Sequence, residues 1–174
     1  MRRLKLTRGL YYEELEEDVI YEHTPGRTIT ATDNNIFSLM AVCIQPLHIN
    51  QDFAEGTVHG ERIVSSMLTM AVCVGMQVHD LTLGTTLGNL SYEAVTFPRP
   101  VFVGDTLYAE TEILDKRVSE SRDDSGVVRF EHRGYNQNDE LVFECERVGL
   151  MELKPEETAD GYKPVLMKDD ENDT

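Results

Sequence analysis

Long apolar segments are missing from this sequence of 174 residues. No apolar run reaches the ~18–20 residues that a helix needs to span a bilayer. The N-terminal stretch MRRLKLTRGLYYEE has no apolar core behind its arginines, as a secretory signal peptide would. We therefore expect a cytoplasmic protein that does not enter a membrane.

Cysteine is also scarce. The three cysteines, Cys43, Cys73 and Cys145, lie far apart and form no CxxC pair. No histidine stands near them at the spacing of a zinc site. The sequence predicts neither a disulfide framework nor a metal site, and we expect all three thiols to be reduced.

Positive charge is the third shortage. The chain has 16 Lys and Arg against 32 Asp and Glu, which gives a net charge of −16. A nucleic acid or an anionic membrane would need a basic surface to neutralise its phosphates, so we expect neither as a partner. The stretch GTTLGN (84–89) has neither the spacing nor the lysine of a phosphate-binding loop.

Length and composition fit one folded domain. A chain of 174 residues with 40% hydrophobic content is long enough for one core and short for two. Residues 154–174 are acidic with few apolar residues, which is typical of a mobile tail. We predict an N-terminal extension over 1–12, a domain over 13–153 and this tail.

Two segments have helical periodicity. TDNNIFSLMAVC (32–43) repeats apolar residues at helical spacing, and Thr32 or Asp33 can cap its start. RIVSSMLTMAVCVGMQV (62–78) is apolar nearly all round, which predicts a buried central helix. Glycine costs about 1 kcal/mol in an exposed helix, so Gly75 predicts close packing against a neighbour.

Strand patterns dominate the rest of the domain. Segments 106–114, 127–135 and 140–150 alternate apolar and polar residues, and the connections DDSG (123–126) and NQND (136–139) are typical of turns. These patterns predict an antiparallel meander. A further strand over 88–97 ends at PRP (98–100). The layout is α+β, with a sheet wrapped around the central helix.

Several of these segments together resemble the MaoC-like enoyl-CoA hydratases and dehydratases. The family motif is Asp, any residue, Asn, Pro, any residue and His, followed by Phe-Ala. Here the matching stretches are CIQPLH (43–48) and FA (53–54). GTTLGNLSYEAV (84–95), FPRPVFVGDTL (97–107) and HRGYNQNDELVFECER (132–147) match as well. The resemblance covers about residues 15–151 and implies a single hot-dog domain, most similar to the branch that hydrates itaconyl- or mesaconyl-CoA.

The resemblance implies a mechanism and a set of roles. Water adds across the double bond of an α,β-unsaturated thioester, or leaves a 3-hydroxyacyl-CoA in the reverse reaction, with the CoA thioester as substrate and no further cofactor. The family histidine falls on His48, while Cys43 occupies the position of the family aspartate. A thiol accepts protons poorly near neutral pH, so we expect His48 to be catalytic and Cys43 not to be its chemical partner.

The remaining site expectations concern substrate binding. Ser65 and Ser66 fall where the family often has His-Gly, and a backbone N–H there stabilises the thioester oxygen at the start of the helix. Gln45 contacts either its own turn or the substrate. Arg62 pairs with a substrate carboxylate or with a surface acid, and Arg99 is a candidate for a CoA phosphate.

Other functions remain open from the sequence. The chain is alternatively a non-catalytic acyl-CoA-binding or assembly subunit that has lost the aspartate. A hot-dog thioesterase is a third possibility, although segment 62–78 has no acidic residue for that chemistry. We expect at least a homodimer, because a single sheet of this kind leaves edges and an apolar face uncovered.

Overall fold

The structure is a computed structural model, and it describes residues 8–155. Five strands form one antiparallel sheet in the order β1-β3-β4-β5-β2. The strands are β1 Ile20–Thr28, β2 Thr86–Thr96, β3 Thr106–Val118, β4 Ser125–Tyr135 and β5 Leu141–Glu152. The helices are α1 Ala31–Met40, α2 Pro46–Ile49, α3 Gln51–Glu55 and α4 Ser66–Gln77.

The predicted meander is confirmed as β3, β4 and β5, which pair in sequence order. Alternation places Val128 and Phe130 in the core, while Arg129 between them is only half-buried. The edge strand β1 was not predicted, because its sequence IYEHTPGRT contains proline and several charges and lacks clean alternation. It pairs with β3 and forms the edge of the sheet opposite β2.

Helix α4 lies against the sheet and contacts strands β1, β3, β4 and β5. The prediction that it begins at residue 62 is wrong. Ile63 bridges to Phe102, and the Val64 N–H donates to the Val101 carbonyl, so this stretch is extended and the helix begins at Ser66. After Gln77 the chain continues as a π-helical turn, Val78–Thr82.

Burial of α4 is one-sided, which corrects the expectation of a helix covered all round. Leu68 and Cys73 face the core, whereas Met67 is 56% exposed. Gly75 is also exposed, and a Cβ built there would meet nothing within 4 Å. The prediction that Gly75 packs closely against a neighbour is therefore wrong within one chain. The space beside Gly75 is open instead.

Helix α1 begins earlier than predicted. Thr30 is its N-cap, and the Thr30 Oγ1 accepts a hydrogen bond from the Asp33 N–H while the Asp33 carboxylate accepts from the Thr30 N–H. This reciprocal capping box fixes the start at Ala31, so neither Thr32 nor Asp33 is the cap. The helix ends at Met40, and Val42 has a positive φ of 54° that an α-helix does not accommodate.

The predicted terminal segments are only partly described. Within the predicted extension, the N–H groups of Gly9 and Leu10 donate to the carbonyls of Leu83 and Leu81, and Tyr11 is buried. Most of the predicted tail, from residue 156 onward, lies outside the described residues. None of the described helices has the length and apolar character needed to cross a membrane.

Candidate active site

A cavity of about 260 Å³ lies beside the first turn of α4. It brings together the α2 segment, the loop before α4 and the stretch that follows β2. Its lining residues are His48, His59, Ile63, Val64, Ser66, Thr69, Phe97, Arg99, Pro100, Val101 and Val142. Three of the residues proposed from the sequence, His48, Ser66 and Arg99, therefore share one pocket.

His48 is held in a defined tautomer by its surroundings. Pro46 is the first residue of α2, where its restricted φ favours the start of a helix. His48 lies two residues later in the same turn. The His48 Nδ1 lies 3.0 Å from the Ile63 carbonyl oxygen, so Nδ1 must carry the proton and donate it. In the neutral ring Nε2 then carries the lone pair. Nε2 is the nitrogen that can accept a proton.

Asn34 joins the His48 segment to the start of α4, and no local sequence pattern distinguishes it from other polar residues. It is fully buried on α1. Its Nδ2 donates to the carbonyls of His48 and Ile63 at 3.0 and 3.2 Å. Its Oδ1 accepts the Ser65 N–H at 2.9 Å. One amide thus fixes both walls of the pocket relative to each other.

The two serines before and at the start of α4 have different surroundings. Ser65 is buried, and its N–H is already used by Asn34. Ser66 is the first residue of α4, and N–H groups in the first turn have no acceptor within the helix. Ser66 also lines the pocket, so of the two it is the better donor to a substrate oxygen.

Cys43, Gln45 and Arg62 are not among the residues that line this pocket. The Cys43 N–H donates to the Ser38 carbonyl in the turn that ends α1. Gln45 is exposed, and its carbonyl accepts the His48 N–H. The Arg62 guanidinium donates to the side-chain oxygens of Gln51 and Asn35, so in this structure it braces α1 and α3.

Arg99 lies at the exposed rim of the pocket. Its side chain is 52% exposed, and its Nε lies 3.5 Å from the Glu140 carboxylate. Its Nη1 reaches the Leu141 carbonyl at 3.4 Å. These contacts are long and solvent-exposed, so they leave the guanidinium free to exchange them for an anion.

The pocket also contains a histidine that sequence reasoning missed. His59 lies in the loop after α3, its side chain has no hydrogen-bond partner among the described residues, and it lines the pocket with His48. No spacing in the sequence distinguishes it from the other histidines. Among the described residues that line the pocket, none is Asp or Glu, and His48 and His59 are its two imidazole side chains.

The remaining histidines lie outside this pocket. His23 and His132 are buried and flank Thr111, whose hydroxyl lies 2.8 Å from a ring nitrogen of each. Burial, together with the nearby Arg147, holds the pKa of His132 well below its usual range. His79 is exposed and contacts Asp80. None of the three lines the pocket of His48.

Comparison with known proteins finds relatives of this chain by sequence. A mesaconyl-CoA hydratase of Cereibacter sphaeroides is 27% identical over 139 residues, which are 80% of this chain and 40% of that protein. An (R)-specific enoyl-CoA hydratase of Rhodospirillum rubrum is 27% identical over 107 residues, 59% of this chain and 69% of that protein. The chain thus spans about 40% of the length of the first of these relatives.

A solved structure shows the same fold. A Mycobacterium tuberculosis protein described as having a double hotdog fold superposes with a TM-score of 0.77 at 21% identity. The match covers 90% of this chain and 46% of that one. The five-stranded sheet with α4 against it is therefore one hot-dog unit. The MaoC-like domain family matches residues 15–136, and the chain belongs to that family.

Proposed function

We propose that the protein hydrates an α,β-unsaturated acyl-CoA, or dehydrates the corresponding 3-hydroxyacyl-CoA. The observation that carries this proposal is the pocket in which a histidine with a free Nε2 lies beside the start of a helix. The relatives named as hydratases of CoA thioesters support it. The mesaconyl-CoA hydratase further supports a short, branched or dicarboxylic acyl chain.

His48 supplies the base in the hydration direction. Its Nε2 takes a proton from water as the water oxygen bonds to the β-carbon of the thioester. The hydrogen bond from Nδ1 to the Ile63 carbonyl holds the ring in place and stabilises the positive charge that develops on it. The double-bond electrons move towards the thioester carbonyl, which becomes an enolate.

The enolate oxygen and the α-carbon need separate partners. The Ser66 N–H, at the positive end of the α4 dipole, stabilises the oxygen. The α-carbon then takes a proton, which restores the thioester carbonyl. We assign His59 as the second proton-transfer group, because it lines the pocket and Cys43 does not. A protonated His59 gives its proton to the α-carbon, and the proton that His48 has gained returns to His59 through solvent before the next turnover. Arg99 at the rim suits a CoA phosphate.

Turnover by the purified protein tests this function. Crotonyl-, mesaconyl- and itaconyl-CoA form a panel that varies branching and charge, and loss of enoyl-thioester absorbance measures hydration. We expect at least one member to be hydrated. If none of these thioesters is hydrated, and none is formed by dehydration of its 3-hydroxyacyl-CoA, while an acyl-CoA still binds, the protein is instead an acyl-CoA-binding subunit. The absence of a carboxylate from the described pocket lining would then explain the lack of activity.

We also propose that two copies associate, as the two units of a double hot-dog protein do within one chain. The chain covers 46% of the double hot-dog structure. Strand β2 pairs with β5 alone among the described strands, which leaves its other edge uncovered, and Leu90 on it is 59% exposed. The exposed face of α4 lies next to β2, because Met67 of α4 lines the same cavity as Thr86 and Tyr92. An open strand edge with apolar residues favours association with a second copy.

The solution mass should therefore be about 40 kDa, twice the 19.8 kDa of one chain. Light scattering after size exclusion at micromolar concentration measures it. Leu90→Glu should shift the mass towards one chain, whereas Val118→Glu, an equally exposed apolar residue on β3, should not. A monomeric wild type, or equal behaviour of the two variants, would count against association through β2.

A further inference from the structure

Ser66 brings a free hydroxyl into the pocket of His48. The residue is exposed, and its Oγ has no hydrogen-bond partner among the described residues. Ser66 and His48 line the same cavity of about 260 Å³. Ser66 falls where the family often has glycine, and the hydration proposed above uses only its backbone N–H. The hydroxyl is therefore a reactive group of this chain that hydration leaves unused.

The backbone around Ser66 passes directly from an extended segment into a helix. Ile63 and Val64 are extended, because they pair with Phe102 and Val101. Helix α4 then begins at Ser66. A serine at a strand-to-helix turn has its Oγ at the start of the helix, as the nucleophile of the α/β-hydrolases does. The chain shares this placement, although the glycines of that hydrolase motif are absent.

His48 is placed to activate this hydroxyl. A serine nucleophile needs a neighbouring base whose other ring nitrogen is held by a third group. The His48 Nδ1 donates to the Ile63 carbonyl at 3.0 Å, which leaves Nε2 to accept the proton of Ser66. The Ile63 carbonyl thus orients the ring, as the carboxylate does in a Ser-His-Asp triad. The positive end of the α4 dipole stabilises the negative charge that develops during the attack.

We propose that this pocket also hydrolyses short acyl-CoA thioesters, with Ser66 as the nucleophile and His48 as the base. The inference rests on the acyl-CoA binding of the proposed function, but it needs no double bond. A thioester oxygen held by the Ser66 N–H places its carbonyl carbon beside the Oγ of the same residue, because the two atoms of one serine are about 3 Å apart. The nucleophile's own N–H is also an oxyanion donor in serine proteases. The absence of an acidic residue from segment 62–78 does not exclude this nucleophilic route.

The reaction consumes only water. The Ser66 Oγ bonds to the carbonyl carbon, its proton passes to the His48 Nε2, and the carbonyl electrons move onto the oxygen. Collapse of this intermediate breaks the C–S bond, and the CoA sulfur leaves with the proton from His48. Water then attacks the acyl ester and gives a proton to Nε2, and the Ser66 Oγ leaves with that proton. The products are the free carboxylic acid and CoA.

Butyryl-CoA tests hydrolysis separately from hydration, because its saturated chain has no double bond to hydrate. Liquid chromatography measures the CoA that the full chain releases, and mass spectrometry of acid-quenched protein locates the acyl group. We expect CoA release at least about 100-fold faster than in buffer alone. We also expect one butyryl group, esterified to Ser66.

Four variants identify the groups responsible. Ser66→Ala should lower CoA release at least about ten-fold and form no ester. Ser66→Cys keeps a nucleophile at this position and should carry the butyryl group as a thioester. His48→Ala should lower CoA release about 100-fold or more. Ser121→Ala removes an exposed hydroxyl from the loop between β3 and β4 and should behave as wild type. The Tm of each variant verifies its fold.

Three results would overturn the proposal. The first is CoA release by wild type that is no faster than in buffer. The second is undiminished release by folded Ser66→Ala, which would show that His48 activates water directly. The third is a butyryl group attached to Cys43 instead of Ser66. Hydration of crotonyl-CoA is measured on the same preparation. Hydration without hydrolysis would overturn this inference alone, and hydrolysis without hydration would overturn only the proposed function.

Discussion

His48→Ala should lower hydration of the best enoyl-CoA substrate by roughly 10²–10⁴-fold, which corresponds to about 2.7–5.5 kcal/mol of transition-state stabilisation. The loss follows from removing Nε2, the nitrogen left free when Nδ1 donates to the Ile63 carbonyl. It should appear in kcat and leave KM nearly unchanged, because His48 acts on the water and not on the bound thioester. Steady-state kinetics by enoyl absorbance measures both constants.

Three further variants distinguish the loss of a catalytic group from a loss of folding. His48→Asn keeps a donor for the Ile63 carbonyl but has no base, so it should retain the Tm and lose the rate. His79→Ala removes an exposed histidine outside the pocket and should retain full activity. His59→Gln should cost about 10- to 100-fold if His59 delivers the second proton.

The variants at Cys43 address the missing aspartate directly. Cys43→Ser should cost far less than His48→Ala, because Cys43 does not line the pocket. Cys43→Asp should raise the rate only if the turn can bring a carboxylate back towards His48. Full activity in His48→Ala would remove the enzymatic role of this pocket and favour the acyl-CoA-binding alternative.

The sequence predicted the sheet better than the helices. Alternation in β3, β4 and β5 is strong because each strand buries one face, and two turn segments set their order. Helix bounds failed where tertiary contacts override periodicity. Segment 62–65 is apolar enough for a helix, but the bridge from Ile63 to Phe102 and the hydrogen bond from Val64 to Val101 extend it. Neither partner is visible from local sequence.

The site could be predicted only where the chain resembles the family motif. His48 falls on the family histidine, and Ser66 falls where the family often has His-Gly. Asn34 and His59 lie 14 and 11 residues from His48 and become its neighbours only through the fold. Alternation places Arg147 on the core face of β5 with Phe143 and Cys145, and only the fold shows that this charged side chain is buried there, against the Phe130 ring.

Asn34→Asp should be among the most damaging conservative changes in this protein. The carboxylate can still accept the Ser65 N–H, but it cannot donate to the His48 and Ile63 carbonyls, and it is placed against both oxygens in a buried site. Losing these two hydrogen bonds without replacement should cost about 3 kcal/mol. For a domain of this size we expect a fall in Tm of roughly 6–12 °C.

The same change should also slow the reaction in protein that remains folded. Asn34 fixes the His48 backbone relative to the start of α4, and a displacement of about 1 Å between base and oxyanion donor can cost about 10²-fold. Measuring kcat well below the lowered Tm isolates this effect, and KM should change little. Asn35→Asp is the matched control. The side-chain oxygen of Asn35 only accepts a hydrogen bond from Arg62, and a carboxylate at this position keeps that contact. An unchanged kcat of Asn34→Asp at low temperature would limit Asn34 to a role in stability. A reduced kcat of Asn34→Asp, with the kcat of Asn35→Asp unaffected, would identify Asn34 as the residue that positions His48 relative to the start of α4.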